Sequence, residues 1–160
     1  MTSVEVARSH RIPVGRELAY RVTLPIDLTV LFHRWFGPIP PIKAVRDQVG
    51  EWSAAGQTRT VVLTGGGSMR EELVEVDAPN SFSYRLSGIT GVMAPLVDHI
   101  DGRWGFEADG DRATVVTWRW TLHPRHAITR PLVVLIGVAW TGYARRGLAE
   151  LHTHILRACS

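Results

Sequence analysis

One cysteine, one lysine and no leader-like N-terminus set the first bounds on this chain. Cys159 stands alone beside the C-terminus, so a disulfide framework is excluded and a reducing cytoplasm is the expected setting. A nucleophilic role for it would require a nearby His and a sheltered position, which a chain end rarely offers. Residues 1–11 lack the apolar core of a secretory leader. The uncharged apolar run Leu132 to Ala139 falls short of the about 20 residues a bilayer span requires, so no stable membrane insertion is expected. Lys43 is outnumbered by 17 arginines, which are scattered along a chain of net charge +3. Without a basic cluster, no nucleic-acid partner is expected. Arginine in place of lysine, with much Ala, Gly and Val, suits a GC-rich bacterial coding sequence.

Metal-ligand and triad spacings are missing too. Of the seven histidines, His152 and His154 diverge on a helix. His123 and His126 sit in a linker without carboxylates or thiols close in sequence, so neither a metal site nor a cofactor is expected. No Ser-His-Asp or Cys-His arrangement can be read from the spacing. Gly65-Gly66-Gly67 is followed by a strand pattern and not by a helix, which excludes a phosphate-cradling loop.

What is present is organised around the stretch from Thr129 to Arg157. Thr129 is placed as an N-cap and Pro131 in the first turn. Val133, Gly137, Trp140, Ala144, Leu148, Leu151 and Ile155 then recur at helical spacing. Such a helix is about 40 Å long at 1.5 Å per residue, enough to cross the face of a small sheet. Its first half is apolar all round, because Leu132, Leu135, Ile136 and Val138 cannot all face a sheet. That surface is expected to be covered by a second copy of the chain or by residues 1–15, with a membrane surface third.

At 160 residues the chain forms one domain, 17–160, behind an N-terminal extension, 1–16. Alternation over Glu17–Leu24 predicts a strand ended by Pro25. Asp27 caps a short helix running through Phe32 and Phe36 to a stop at Gly37-Pro38. Strands follow over Ile42–Gln48, Gln57–Thr64, Ser68–Asp77, Phe82–Ser87, His99–Ala108 and Thr114–Leu122, with Gly88–Asp98 as a long connection. That makes about seven strands, mostly antiparallel, against one long helix: an α+β fold.

Strand parity then gives a candidate cavity. Val116, Trp118, Trp120 and Leu122 share one face, as do Phe82, Tyr84 and Leu86, and as do Trp104 and Phe106. Trp140 points toward them from the helix, where Gly137 and Ala144 leave space. The aromatics form either a pocket wall or plain core. The polar candidates are Arg59 and Glu71. A turn at Gly65–Gly67 would set Leu63 against Met69, making Arg59 and Glu71 diagonal neighbours on one face. Pointing inward they form a unit, and removing either charge strands the other at about 3–5 kcal/mol. Pointing outward they are an ordinary surface pair.

The order of elements and several short motifs carry a family resemblance over roughly residues 17–157. They are Leu24-Pro25-Ile26-Asp27, Gly56-Gln57-Thr58-Arg59-Thr60-Val61, Gly66-Gly67 with Arg70-Glu71, Asp77-Ala78-Pro79, Phe82-Ser83-Tyr84, Thr117-Trp118-Arg119-Trp120 and the terminal helix. Together they resemble the START-like helix-grip (SRPBCC) superfamily, in its polyketide cyclase/dehydrase and lipid-transport branch. The resemblance implies a curved antiparallel sheet gripping the long helix, an apolar cavity between them, and a hydrophobic small-molecule ligand. It does not imply a reaction. The function expected is binding or transport of a lipid or polyketide-like molecule. The alternative is a cyclase or dehydratase in which a residue such as Glu71 is the general base.

Overall fold

The computed structural model describes residues 2–36 and 39–159. Seven strands form one antiparallel sheet: β1 (Val4–Ile12), β2 (Ile42–Arg46), β3 (Thr58–Leu63), β4 (Ser68–Asp77), β5 (Ser81–Ser87), β6 (Val97–Ala108) and β7 (Thr114–Pro124). Their order across the sheet is β1-β7-β6-β5-β4-β3-β2. Three helices, α1 (Arg16–Thr23), α2 (Leu28–Leu31) and α3 (Arg130–Ala158), lie with them. This is the helix-grip arrangement, with α3 held in the concave face.

Two assignments at the start of the chain are exchanged relative to expectation. The segment taken as a leading extension is β1, which pairs with β7 from Val4↔Leu122 to Ile12↔Thr114. The Glu17–Leu24 strand is instead helix α1. Its apolar residues fit both periods: Leu18 and Val22 alternate with polar neighbours, yet also stand one helical turn apart. Pairing decides between them. β1 already occupies the free edge of β7, and α1 buries Ala19, Tyr20 and Thr23 where it packs against β6 and α3. Tyr20 donates its hydroxyl to the Ser81 carbonyl, fastening α1 to β5.

Asp27 caps α2 as expected, its carboxylate accepting from the Thr29 backbone N–H at 3.0 Å. The helix is shorter than the pattern suggested and ends at Leu31. Gly37 and Pro38, read as its stop, lie outside the described residues. Phe32 and Phe36 continue past the helix as anchors. A Cβ on Gly147 would lie 2.4 Å from the Phe32 ring, and one on Gly142 would lie 2.2 Å from the Phe36 ring. Two helical glycines thus form seats for two rings.

Along α3 the stripe Val133, Gly137, Trp140, Ala144, Leu148, Leu151 and Ile155 is buried as the spacing predicts. Each large aliphatic side chain on it contributes about 1.5–3 kcal/mol by leaving water. Gly137 leaves no space: a Cβ there would sit 3.1 Å from Val6 Cγ1, so the glycine admits β1 to the helix. Thr129 does not cap through its side chain. Its hydroxyl donates to the Leu96 and His126 carbonyls, closing a 3₁₀ turn over Ala127–Thr129. By length and hydropathy the segment 127–158 is long and apolar enough to cross a membrane, contrary to the shorter run counted from sequence. Here it packs on the sheet.

Candidate functional site

The sheet, the α1–α2 segment and α3 enclose a cavity of about 770 Å³, within the range of small-molecule sites. Its wall is mainly apolar, with Leu24, Ile26, Phe32, Val61, Met69 and Leu86 among the lining residues. Helix α3 contributes Ile136, Ala139 and Tyr143. Two glycine-bearing loops, Gly65–Gly67 and Thr90–Met93, border the cavity, as do the exposed Trp35 and Val92. The loops touch. A Cβ on Gly91 would come within 2.9 Å of Gly67 Cα, and the Thr90 hydroxyl accepts from the Ser68 N–H at 2.9 Å.

Two polar clusters stand inside. The first joins β3 to β4, where Arg59 is directly opposite Glu71. The expected register was off by two residues: Val61, not Leu63, faces Met69. The turn sits one residue earlier, over Thr64–Gly66: Leu63 donates its N–H to the Gly67 carbonyl while its side chain lines the cavity, and Gly65 and Gly66 take φ +98° and +99°. A slip of two residues preserves the face, so the inward reading of both side chains holds. Arg59 Nε donates to Glu71 Oε1 at 2.8 Å, and both residues are 4% exposed. The parity that was ambiguous in β4 has a cause as well. Val74 is an extra residue between Leu73 and Glu75, a bulge that reverses the alternation beyond it.

Trp52, missed in the sequence, completes this cluster. Its ring lies 3.9 Å from the Arg59 guanidinium carbon, a desolvated cation–π contact. It holds a left-handed backbone, φ +58°, unusual for a bulky residue. The loop around it is wound on Gln57, whose side-chain oxygen accepts from the Ser53 and Ala54 N–H groups. Gln57 lay within the quoted Gly56–Val61 motif, but its bonds run backward to residues outside it.

The second cluster centres on Tyr84. Its hydroxyl accepts from Trp118 Nε1 and from Trp120 Nε1, each at 2.8 Å. Tyr84, Gly102 and Trp120 are paired across β5, β6 and β7. A Cβ on Gly102 would lie 2.0 Å from the tyrosine ring, so the glycine is what lets the ring lean across β6. Burial, and after it the Glu71 charge, pushes the Tyr84 phenol well above its ordinary range. It therefore stays an O–H and, having accepted two N–H bonds, keeps its proton to donate. Burial likewise raises Glu71 from its ordinary 4.5, with Arg59 opposing the shift only in part.

Of the expected lining residues, Arg59, Glu71, Tyr84, Trp104, Trp118 and Trp120 do line the cavity. Phe106 and Trp140 stand behind it. Phe106 packs edge-on to Tyr20 and alongside Phe82, where α1 covers the sheet. Trp140 is fully buried, stacked on Trp120 at 5.4 Å and edge-on to Trp118, so these two indoles screen it from the space. Among the described lining residues there is no His or Cys.

Solved structures of similar shape span nearly the whole chain. Ara h 8.0201 superposes with a TM-score of 0.70 at 16% identity, covering 98% of this chain and 99% of that one. The major latex-like protein 151 of Panax ginseng gives 0.70 at 13% identity, covering 96% and 98%. Norcoclaurine synthase from Thalictrum flavum, in complex with dopamine and hydroxybenzaldehyde, gives 0.68 at 12% identity, covering 98% and 88%. At such identities the likeness concerns the fold. No curated protein sequence matches the chain. A family profile described as polyketide cyclase / dehydrase and lipid transport matches residues 3–155. It takes in β1, the mixed sheet wall and nearly all of α3, and the chain belongs to that family.

Proposed function

We propose that the protein binds a largely apolar small molecule, of lipid or polyketide type, as a carrier or sensor. One observation carries this reading: a cavity of about 770 Å³ with a mainly apolar wall into which two buried polar clusters are set. The apolar body of a ligand would displace water from the wall, while an oxygen function would accept from Tyr84 or from the free guanidinium nitrogens of Arg59. Native mass spectrometry of the protein purified without denaturation tests it. A bound species with long-chain or polycyclic character is expected, as is displacement of an environment-sensitive apolar dye by such compounds. Protein that carries nothing and binds no dye would make the space ordinary core.

A second reading has its own support. Glu71, raised by burial, stands close enough to Tyr84 to perturb it, so a base and a proton donor border the same space. The norcoclaurine synthase of similar fold holds dopamine and hydroxybenzaldehyde. In this reading the cavity folds a polyketide-like substrate, and Glu71 removes a proton while Tyr84 supports the developing oxyanion. Glu71→Gln separates the two. A catalyst should lose turnover and keep binding; a carrier should show no turnover to lose.

The outer face of α3 belongs to the proposal as well. Ile128, Leu132, Leu135 and Val138 are exposed, the last two at 63% and 64%. β1 lies on the Gly137 side of the helix, so the described residues 2–15 do not cover this stripe. We infer that a second copy of the chain does.

A further inference from the structure

We propose that His99, Asp101 and His123 form a site for one divalent transition-metal ion of the zinc class, on the sheet face opposite the cavity. In sequence His123 had no carboxylate neighbour; the β6–β7 pairing supplies one. His99 and Asp101 are two residues apart on β6 and share a face. A bulge at Asp98 sets His99 directly opposite His123. Ile100 and Leu122, the neighbours of alternate parity, point into the core at 0% exposure. The three side chains therefore face solvent together.

The geometry is that of a ligand set. Asp101 Oδ2 lies 3.0 Å from His123 Nε2 and 3.8 Å from His99 Nε2. All three ligand atoms lie within 4.8 Å of one another. Metal–ligand bonds of 2.0–2.2 Å in a tetrahedron place donors about 3.4 Å apart, which those two distances bracket. The imidazole rings are parallel, 4.0 Å between centroids, so both edges reach the carboxylate from one side. Outer partners are in place too. Asp98 Oδ2 is 2.7 Å from His99 Nδ1, which leaves Nε2 as the metal-facing lone pair. Arg85 fixes the plane of the Asp101 carboxylate, Nε donating to Oδ1 at 2.8 Å and Nη2 more loosely to Oδ2 at 3.4 Å. Two imidazoles and one carboxylate suit zinc, cobalt or nickel and not magnesium or calcium. Side-chain exposures of 24%, 37% and 33% leave a position for water. An ion here would fasten the start of β6 to the end of β7.

The test is calorimetric titration of tag-free, chelator-stripped protein with Zn(II), and visible absorption with Co(II). One equivalent should bind, the melting temperature should rise with Zn(II), and Mg(II) should have no effect. His123→Gln, conservative at a half-buried position, and His99→Ala should each abolish the saturable equivalent. Asp98→Ala should weaken it roughly 10–100-fold. The other close pair, His10 and His152 at 2.7 Å, serves as control. Absence of a stoichiometric site, binding unchanged in His123→Gln, or binding lost in His152→Ala instead would overturn the assignment.

Discussion

Tyr84 owes its position to a side chain that is absent. Gly102 leaves the room into which the ring leans, and the ring's hydroxyl then serves two indoles at once. Gly102→Ala should push the ring off its seat, lowering ligand or dye affinity and shifting tryptophan emission while the sheet persists by circular dichroism. Tyr84→Phe should cost about 1–3 kcal/mol for the stranded Trp118 donor alone, measured by urea unfolding. Full wild-type stability would mean that the indoles find other acceptors. The Arg59–Glu71 pair behaves differently because both partners are charged and buried. Glu71→Leu should cost about 3–5 kcal/mol, and Arg59→Met added to it should recover most of that loss. Burial raises Glu71 above its ordinary 4.5 in the folded chain, so the folded state binds more protons than the unfolded one just above that pH. Stability contributed by this group therefore falls as pH rises from 4.5 to the raised value. Glu71→Gln cannot titrate, and the gap in urea midpoint, wild type minus variant, should shrink across that window. A constant gap would show the carboxylate ionised throughout.

Elements were legible wherever one period dominated. The strands from Thr58 to Leu122 and the whole of α3 follow from alternation and helical spacing, and the family motifs placed them in order. Leu18 to Leu24 failed because its apolar residues satisfy two periods, and only the occupied edge of β7 decides. β1 was illegible for the opposite reason: an edge strand buries little, so Glu5, Arg8, Ser9 and Arg11 dilute its pattern. Within the site, parity found Arg59, Glu71 and the tryptophan wall. It could not find Trp52, which a loop folds back through space, nor show that Trp140 is screened by its neighbours. Of the residues read as surplus apolar surface on α3, Leu132, Leu135 and Val138 are exposed while Ile136 turns into the cavity wall, and that exposure makes a prediction at this scale. Leu135→Glu with Val138→Glu should convert a dimer to a folded monomer on sizing chromatography. A wild-type monomer, or a double variant that remains dimeric, would leave the stripe without the partner proposed for it. Pelleting of wild type, but not the variant, with anionic vesicles would assign the stripe to a membrane surface instead.

At the scale of the molecule, the sheet closes its grip through its two ends. β2 forms one edge and β1 the other, and β1 also meets α3 where Gly137 admits Val4 and Val6. Residues 4–12 are therefore part of the domain. A chain beginning at residue 13 should expose the β7 edge and lose its cooperative thermal transition; retention of it would restore them to the status of an appendage. The pairing of Ile12 with Thr114 and of Val4 with Leu122 also has a consequence in time. β1 is made before its partner and is separated from it by more than a hundred residues. At about 5–20 residues per second it waits roughly 5–20 s for β7 to be made. During that wait its polar residues become an asset, because a strand rich in Glu, Arg and Ser has little tendency to pair with strangers. The weak pattern that hid β1 from view is what lets it remain uncommitted until β7 arrives.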